Sequence, residues 1–243
     1  MTPAQIEQYW REGFLTEEIV FSPDEVLKFA SAYDACLDRL REQDGLRNIR
    51  SGQLEDGTQT EVNQIRCAHL FHPVFADLVR DTRILDRVEA LIGANLRLIL
   101  CQGLYKPAQT GGEIGWHQDD YYFGVSKKDA VVSCWMAFDD VTPENGCMWV
   151  IPRAQGQLWE HESVEPGGYV MSDPDESAAL PLPLKAGQIM FHHGATPHRT
   201  LKNQTDRSRR ALAIHYMDAT ATILRGNREN EPPENTPILR GHA

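Results

Sequence analysis

The chain has 243 residues, 24 Lys and Arg against 35 Asp and Glu, a formal net charge of −11, and 41% hydrophobic residues. That length and apolar content suit one domain with a sizeable core, and an acidic chain without a basic stripe argues against nucleic acid as a partner. No apolar run approaches the ~20 residues of a membrane span, and no protein partner is evident.

In chain order, helices come first. Pro3 to Glu12 is a predicted helix closed by Gly13. Ser22-Pro23-Asp24-Glu25 is a capping box with Pro at the first helical position. The helix it opens should run to about Asp44, with Val26, Phe29, Ala30, Tyr33, Leu37 and Leu40 on one stripe. Arg47 to Thr60 is polar and contains Gly, so a loop able to act as a lid is expected. Pro73 to Ile92 gives two short helices broken near Arg80-Asp81-Thr82, the second ended by Gly93. Strands dominate afterwards, at Leu96–Tyr105, Trp116–Phe123, Ala130–Phe138, Met148–Ile151, Gln188–His192 and Arg210–Met217. Short strands separated by Gly, Pro and Asp turns predict a sandwich or jelly roll. Gln157 to Leu184, rich in Pro, Glu and Gly, is a long insertion placed to cover a pocket. The expected organisation is one domain over 1–243: mostly helical support and lid in 1–95, a jelly-roll core in 96–225, and an irregular tail in 226–243.

The start of the chain lacks the basic and apolar regions of a signal peptide. Its five Cys (Cys36, Cys67, Cys101, Cys134 and Cys147) form no CxxC. Reduced core thiols and a cytoplasmic location are therefore expected.

Two short strings carry the chemistry: Gly115-Trp116-His117-Gln118-Asp119-Asp120 and Pro197-His198-Arg199-Thr200. In an extended segment alternate side chains share a face, so His117 and Asp119 aim at one point while Gln118 points away. An HxD pair alone is a weak signal whose ordinary reading is a strand-end His beside a solvated Asp. A second imidazole completes the two-histidine, one-carboxylate face that holds ferrous iron and leaves the opposite face open. His198 is the candidate, with His192 and His193 as competitors. Eleven positions after His198 (209 − 198) stands Arg209, whose guanidinium fork can take a carboxylate of 2-oxoglutarate. That spacing, together with the family resemblance below, favours His198.

These pieces resemble the phytanoyl-CoA dioxygenase family of Fe(II)/2-oxoglutarate oxygenases. The matching segments are Tyr9 to Phe14, His117-Gln118-Asp119, Glu144 to Pro152, and His198 to Tyr216 with Asn203 and Arg209 in step. Gly111-Gly112-Glu113-Ile114 is similar to the branch of phytanoyl-CoA dioxygenase domain-containing proteins. The resemblance implies a mainly β fold, a double-stranded β-helix (cupin-type jelly roll) with N-terminal helices packed on it. It implies Fe(II), 2-oxoglutarate and O2 as cofactors, His117, Asp119 and His198 as metal ligands, and a small-molecule substrate. It also implies that Arg209 and Thr200 hold the distal carboxylate of 2-oxoglutarate, that Trp135 and Gln102 line its pocket, and that Gln64 stands where some relatives carry a Lys. Pro152-Arg153-Ala154-Gln155 departs from the family's usual Pro-Gly-Ser-His. Asp119 favours hydroxylation over halogenation, since related halogenases carry a small residue there. The rival readings are a metal-dependent cupin-type isomerase or hydrolase, and a non-catalytic 2-oxoglutarate sensor.

Other groups have two readings each. His215 is a core histidine or one that supports the ligands. His69, His72, His161 and His242 are expected on the surface or in loops. Asp120 either bonds a ligand His or is solvated. One of Tyr121 and Tyr122 faces substrate or both pack the barrel. Arg50, Arg66 and Lys106 recognise an anion or are solvated.

Overall fold

The computed structural model describes residues 1–17, 20–165, 168–225 and 231–242. Its helices are α1 (Pro3–Glu12), α2 (Pro23–Glu42), α3 (Ala68–Phe71), α4 (Pro73–Leu78), α5 (Thr82–Ile92) and α6 (Asp119–Phe123). Its strands are β1 (Phe14–Glu17), β2 (Arg47–Gln53), β3 (Gln59–Arg66), β4 (Leu96–Lys106), β5 (Ile114–His117), β6 (Val131–Ala137) and β7 (Met148–Val150). They continue with β8 (His161–Ser163), β9 (Tyr169–Met171), β10 (Leu180–Leu182), β11 (Ile189–His193), β12 (His198–Thr200), β13 (Arg209–Asp218) and β14 (Ile238–Arg240).

The strands form a jelly roll. An eight-stranded antiparallel sheet runs β1-β11-β6-β13-β4-β3-β2, with β14 also on β4, and a four-stranded sheet runs β10-β7-β12-β5. Period-two alternation sorts the major sheet's side chains. From β6, Val132, Cys134 and Met136 pack under the helices, while Trp135 and Ala137 belong to a second core between the sheets. Both faces are covered, which is why β6 reads as a continuous apolar run.

The helices cover the outer face. The predicted stripe of α2 is buried as expected, and its capping box is present, with Ser22 N–H donating to Glu25 at 2.9 Å. Tyr33 of α2 approaches the backbone of β4 so closely that a Cβ at Gly103 would lie 2.7 Å from its ring. Phe75 of α4 is fully buried, stacked on Phe138 with centroids 6.3 Å apart and edge-on to Tyr33 at 6.4 Å. Phe75→Ala is expected to lower unfolding free energy by about 3–5 kcal/mol, read as a lower urea midpoint at unchanged slope.

The minor sheet is short and pinned from outside. Arg199 of β12 lies over Trp116 of β5 at 4.6 Å and near Trp149 of β7 at 5.7 Å, and pairs with Glu176 at 2.9 Å.

Several expectations are corrected. Residues 47–60 are no loop: β2 and β3 form a hairpin that extends the major sheet. Its polarity concealed this, because an edge strand has a partner on one side only and needs no apolar face. The 1–95 region therefore contains three strands as well as helices. The strand expected over Trp116–Phe123 stops at His117, and Asp119–Phe123 is a helical turn whose acidic start suits the positive helix end. The 157–184 insertion carries β8, β9 and β10. The tail contains β14, while its residues 226–230 and 243 lie outside the described residues. His69 and His161 are buried, not surface residues. Lys106 is also fully buried, donating to the carbonyls of Gly112 (2.5 Å), Thr200 (3.3 Å) and Leu201. It ties β4 to the end of β12 and does not recognise an anion. No described helix is long and apolar enough to cross a membrane.

Candidate metal centre

His198 opens β12 directly opposite His117 at the end of β5, and cross-strand neighbours on one face come within ~5 Å at Cβ. Their ring centroids are 4.1 Å apart. Gln118 is still extended, so Asp119, at the first position of α6, turns back to the same side. The nitrogen and oxygen atoms that His117, Asp119 and His198 can offer a metal all lie within 4.8 Å of one another.

Each imidazole has its tautomer fixed. Nδ1 of His117 faces the carbonyl of Gly115 at 2.8 Å, and Nδ1 of His198 faces that of Thr196 at 2.9 Å. A carbonyl only accepts, so both Nδ1 atoms carry the proton and both Nε2 lone pairs are left for a metal. Burial lowers the basicity of His117 to about pKa 4, with Asp119 opposing and Arg50 assisting. Burial, together with His117 and His192, pushes His198 well below the ordinary histidine value. Burial alone would raise Asp119, but His215 and His198 and the hydrogen bond from His192 hold it well below the usual carboxylate range. The three candidate ligands are thus in the protonation states that metal binding needs at neutral pH.

This has a consequence for the metal-free protein. Unfolded, a histidine takes its proton near 6.5; folded His117 refuses it until about 4. Between those values the unfolded chain binds more protons, so stability is full above 6.5 and falls as the pH drops towards 4. The urea midpoint of metal-free protein should therefore fall from pH 7 to pH 4.5, and His117→Asn should flatten that slope. An unchanged slope in the variant would assign the pH dependence elsewhere.

The two oxygens of Asp119 have different company. Oδ2 accepts from Ser133 Oγ at 2.6 Å and from His192 Nε2 at 3.0 Å, while Oδ1 lies 3.9 Å from Nε2 of His198. Behind Ser133 runs a chain with every donor pointing the same way. Arg47 donates to Gln64 (3.5 Å), Gln64 to Gln102, Gln102 to Nε2 of His215 (3.0 Å), and Nδ1–H of His215 to Ser133 (2.7 Å). Aligned donors strengthen one another. His215 is therefore a hydrogen-bonded support. His192 supports the carboxylate and lies outside the three-ligand group, and His193 faces away, with Nε2 3.2 Å from Asp129. Ser133 went unnoticed in the sequence; the available signal was one hydroxyl in an apolar strand, in phase with Trp135.

A cavity of about 500 Å³ opens above the triad, lined among others by Gln64, Gln102, Trp135, His198 and Thr200. Tyr121 and Tyr122 both face it, as does Tyr169 of the β8–β9 hairpin. Gln118, pointing away as expected, fastens the insertion by donating to the carbonyls of Gln157 (2.7 Å) and Ala195 (2.6 Å) and accepting from Trp159 N–H (2.8 Å). Asp120 bonds no ligand histidine. Its Oδ1 is buried without a partner, and burial, then Asp119 and Asp129, raises its pKa to about 7.

Arg209 is not on the cavity wall. It is 1% exposed, with its guanidinium 5.6 Å from the Trp135 ring and Nη1 donating to the carbonyl of Leu104 at 3.2 Å. Burial lowers its pKa to about 10, so it stays charged at neutral pH. Among the described residues no carboxylate pairs with it, and its Nε, Thr200 Oγ1 and Trp135 Nε1 are buried without partners. A buried guanidinium left this way is costly unless an anion arrives. The donor set fits a dicarboxylate cosubstrate, and the nitrogen–oxygen triad fits ferrous iron.

A family model for phytanoyl-CoA dioxygenase (PhyH) matches residues 9–211. The mouse phytanoyl-CoA dioxygenase domain-containing protein 1 is 24% identical over an alignment of 285 positions, covering 98% of this chain and 97% of that one. A Stutzerimonas stutzeri protein described as a probable alpha-ketoglutarate-dependent hypophosphite dioxygenase is 27% identical over 244 residues, covering 93% and 82% of the two chains. Among solved structures, the non-heme alpha ketoglutarate dependent carbocyclase SnoK from nogalamycin biosynthesis shares the fold, with a TM-score of 0.79 at 23% identity over 98% of this chain and 96% of that one.

Proposed function

The chain belongs to the phytanoyl-CoA dioxygenase family of 2-oxoglutarate-dependent oxygenases, and from that premise we propose that it hydroxylates a C–H bond of a small organic molecule with release of succinate and CO2. Fe(II), 2-oxoglutarate and O2 are its cofactors. The observation that carries the reading is the convergence of His117, Asp119 and His198 within 4.8 Å, with both imidazole tautomers fixed for ligation.

In the proposed mechanism each residue has one task. His117 and His198 would hold the metal through Nε2, and Asp119 through a carboxylate oxygen. Arg209, behind the cavity wall, and Thr200 on it would hold the distal carboxylate of 2-oxoglutarate beside Trp135, and Gln102 and Gln64 would line its space. Iron and 2-oxoglutarate, when bound, supply the oxidising power that O2 alone lacks at a C–H bond. The β8–β9 hairpin limits water at the cavity mouth. Asp119 occupies the position a halogenase needs vacant, which supports hydroxylation. A single domain over 1–243 and a cytoplasmic location belong to the same proposal; the latter is supported by five free, buried Cys.

Anaerobic titration with Fe(II) and 2-oxoglutarate tests it. The wild type should develop the weak visible metal-to-ligand charge-transfer band, and His198→Ala should lose it. Iron bound without a band would overturn the oxygenase reading in favour of a metal-dependent isomerase or hydrolase.

A further inference from the structure

The described residues lining the cavity include four arginines, Arg47, Arg50, Arg66 and Arg225, and one acid, Asp119, in a chain whose net charge is −11. Arg66 is engaged by Glu231. A ferrous ion and a 2-oxoglutarate dianion would cancel each other, so loading the centre would not by itself neutralise the cavity arginines. Like charges crowded on a partly enclosed wall attract an anion from solution and repel cations.

Arg50 is the best placed of the four. Its Nη1 donates to the carbonyl of Ile49 at 2.7 Å and its Nη2 to Tyr122 Oη at 3.1 Å. The guanidinium lies against Gly168, where a Cβ would sit 2.6 Å from Nη1 and where φ is +131°. Gly168 thus leaves the room the planar group occupies. Arg47 stands on the same hairpin. Opposite them the rings of Tyr121 and Tyr122 each lie 5.2 Å from that of Tyr169, edge to face, an aromatic wall for an apolar body.

We propose, resting on the oxygenase reading above, that the substrate is a small organic oxyanion, a carboxylate or a phosphate monoester. Its acidic group docks on Arg50 and Arg47, and its body lies on Tyr121, Tyr122 and Tyr169. Arg50, held by Ile49 and Tyr122, and Arg47 then set the position of the substrate's acidic end by their charge.

Benzoate, phenyl phosphate and benzamide serve as probes. Each is titrated calorimetrically, at constant ionic strength, into anaerobic full-length protein already loaded with Fe(II) and 2-oxoglutarate and showing the charge-transfer band. At least one anion should bind about tenfold or more tighter than neutral benzamide, and the tighter of the two names the acid class. Arg50→Gln should abolish the preference while the band and benzamide binding persist. Benzamide binding as tightly as both anions, or no anion binding to the loaded protein, overturns the proposal and leaves the oxygenase reading standing. Equal weakening of all three probes by Arg50→Gln also overturns it and makes Arg50 a clamp for the β8–β9 hairpin. Failure of the band in the wild type removes the oxygenase reading and this proposal with it.

Discussion

Arg209→Leu should move two measurements in opposite directions. The concentration of 2-oxoglutarate needed for half-maximal charge-transfer absorbance should rise by about 100-fold or more, as expected when one partner of a buried charge pair is removed. The cosubstrate-free protein should be as stable as the wild type or more so, because a buried guanidinium without a counter-charge costs more than a leucine of similar bulk. The carbonyl of Leu104 loses a donor, a penalty of about 1 kcal/mol that offsets part of the gain. Thermal melts with and without 2-oxoglutarate read both effects, since a ligand raises the midpoint only of a protein that binds it. If the variant keeps wild-type affinity for 2-oxoglutarate, Arg209 is a core residue and the dicarboxylate must be sought against the cavity arginines.

The second large effect concerns the carboxylate ligand. Ser133 and His192 occupy Oδ2 of Asp119 and leave Oδ1 towards the histidines. Ser133→Ala or His192→Phe should each weaken Fe(II) binding by about 10–100-fold, the usual cost of losing a group that orients a metal ligand. With Oδ2 released, Asp119 can offer both oxygens and take up a position meant for cosubstrate or O2, so the charge-transfer band should shift as well as weaken. His192→Phe is the cleaner of the two, because Nδ1 of His192 has no partner to lose. Unchanged affinity and band shape in both variants would show that the carboxylate holds its orientation without them.

Much of this site is legible in the sequence because strand periodicity is short-range. His117 and Asp119 share a side through one extended residue, whatever follows. The strands β4, β6, β11 and β13 could be read from their apolar runs because both faces of each are largely buried. What stayed hidden has a physical reason in each case. The β2 edge strand carries Arg47, Asn48 and Arg50, polar residues that mark a loop unless a partner strand is known. The helical turn at Asp119–Phe123 competes with β-prone aromatic residues, and no capping side chain announces it: Gln118 makes no cap hydrogen bond, and the turn is closed by Gly124 in the left-handed region. Arg209 could be found by spacing, but its withdrawal behind Trp135 depends on how the sheets face each other. Lys106 and His161 were assigned to solvent by residue type, and only tertiary packing supplies the carbonyls and the Gln118 N–H they bond.

The Trp116–Arg199–Trp149 stack touches neither the metal ligands' open face nor the cavity arginines, yet it bears on the register that aims His198 at the centre. Along β12 neighbouring side chains face opposite ways, so a slip of one residue would send Arg199 inward and turn His198 out to solvent. A strand of three residues has few hydrogen bonds with which to resist that slip. The resistance comes from Arg199, wedged between indoles of the strands on either side and tethered to Glu176. The outer surface of the minor sheet is therefore an alignment key for the catalytic interior. Surface engineering that treats these three residues as expendable would misregister the metal centre while leaving every ligand in the sequence.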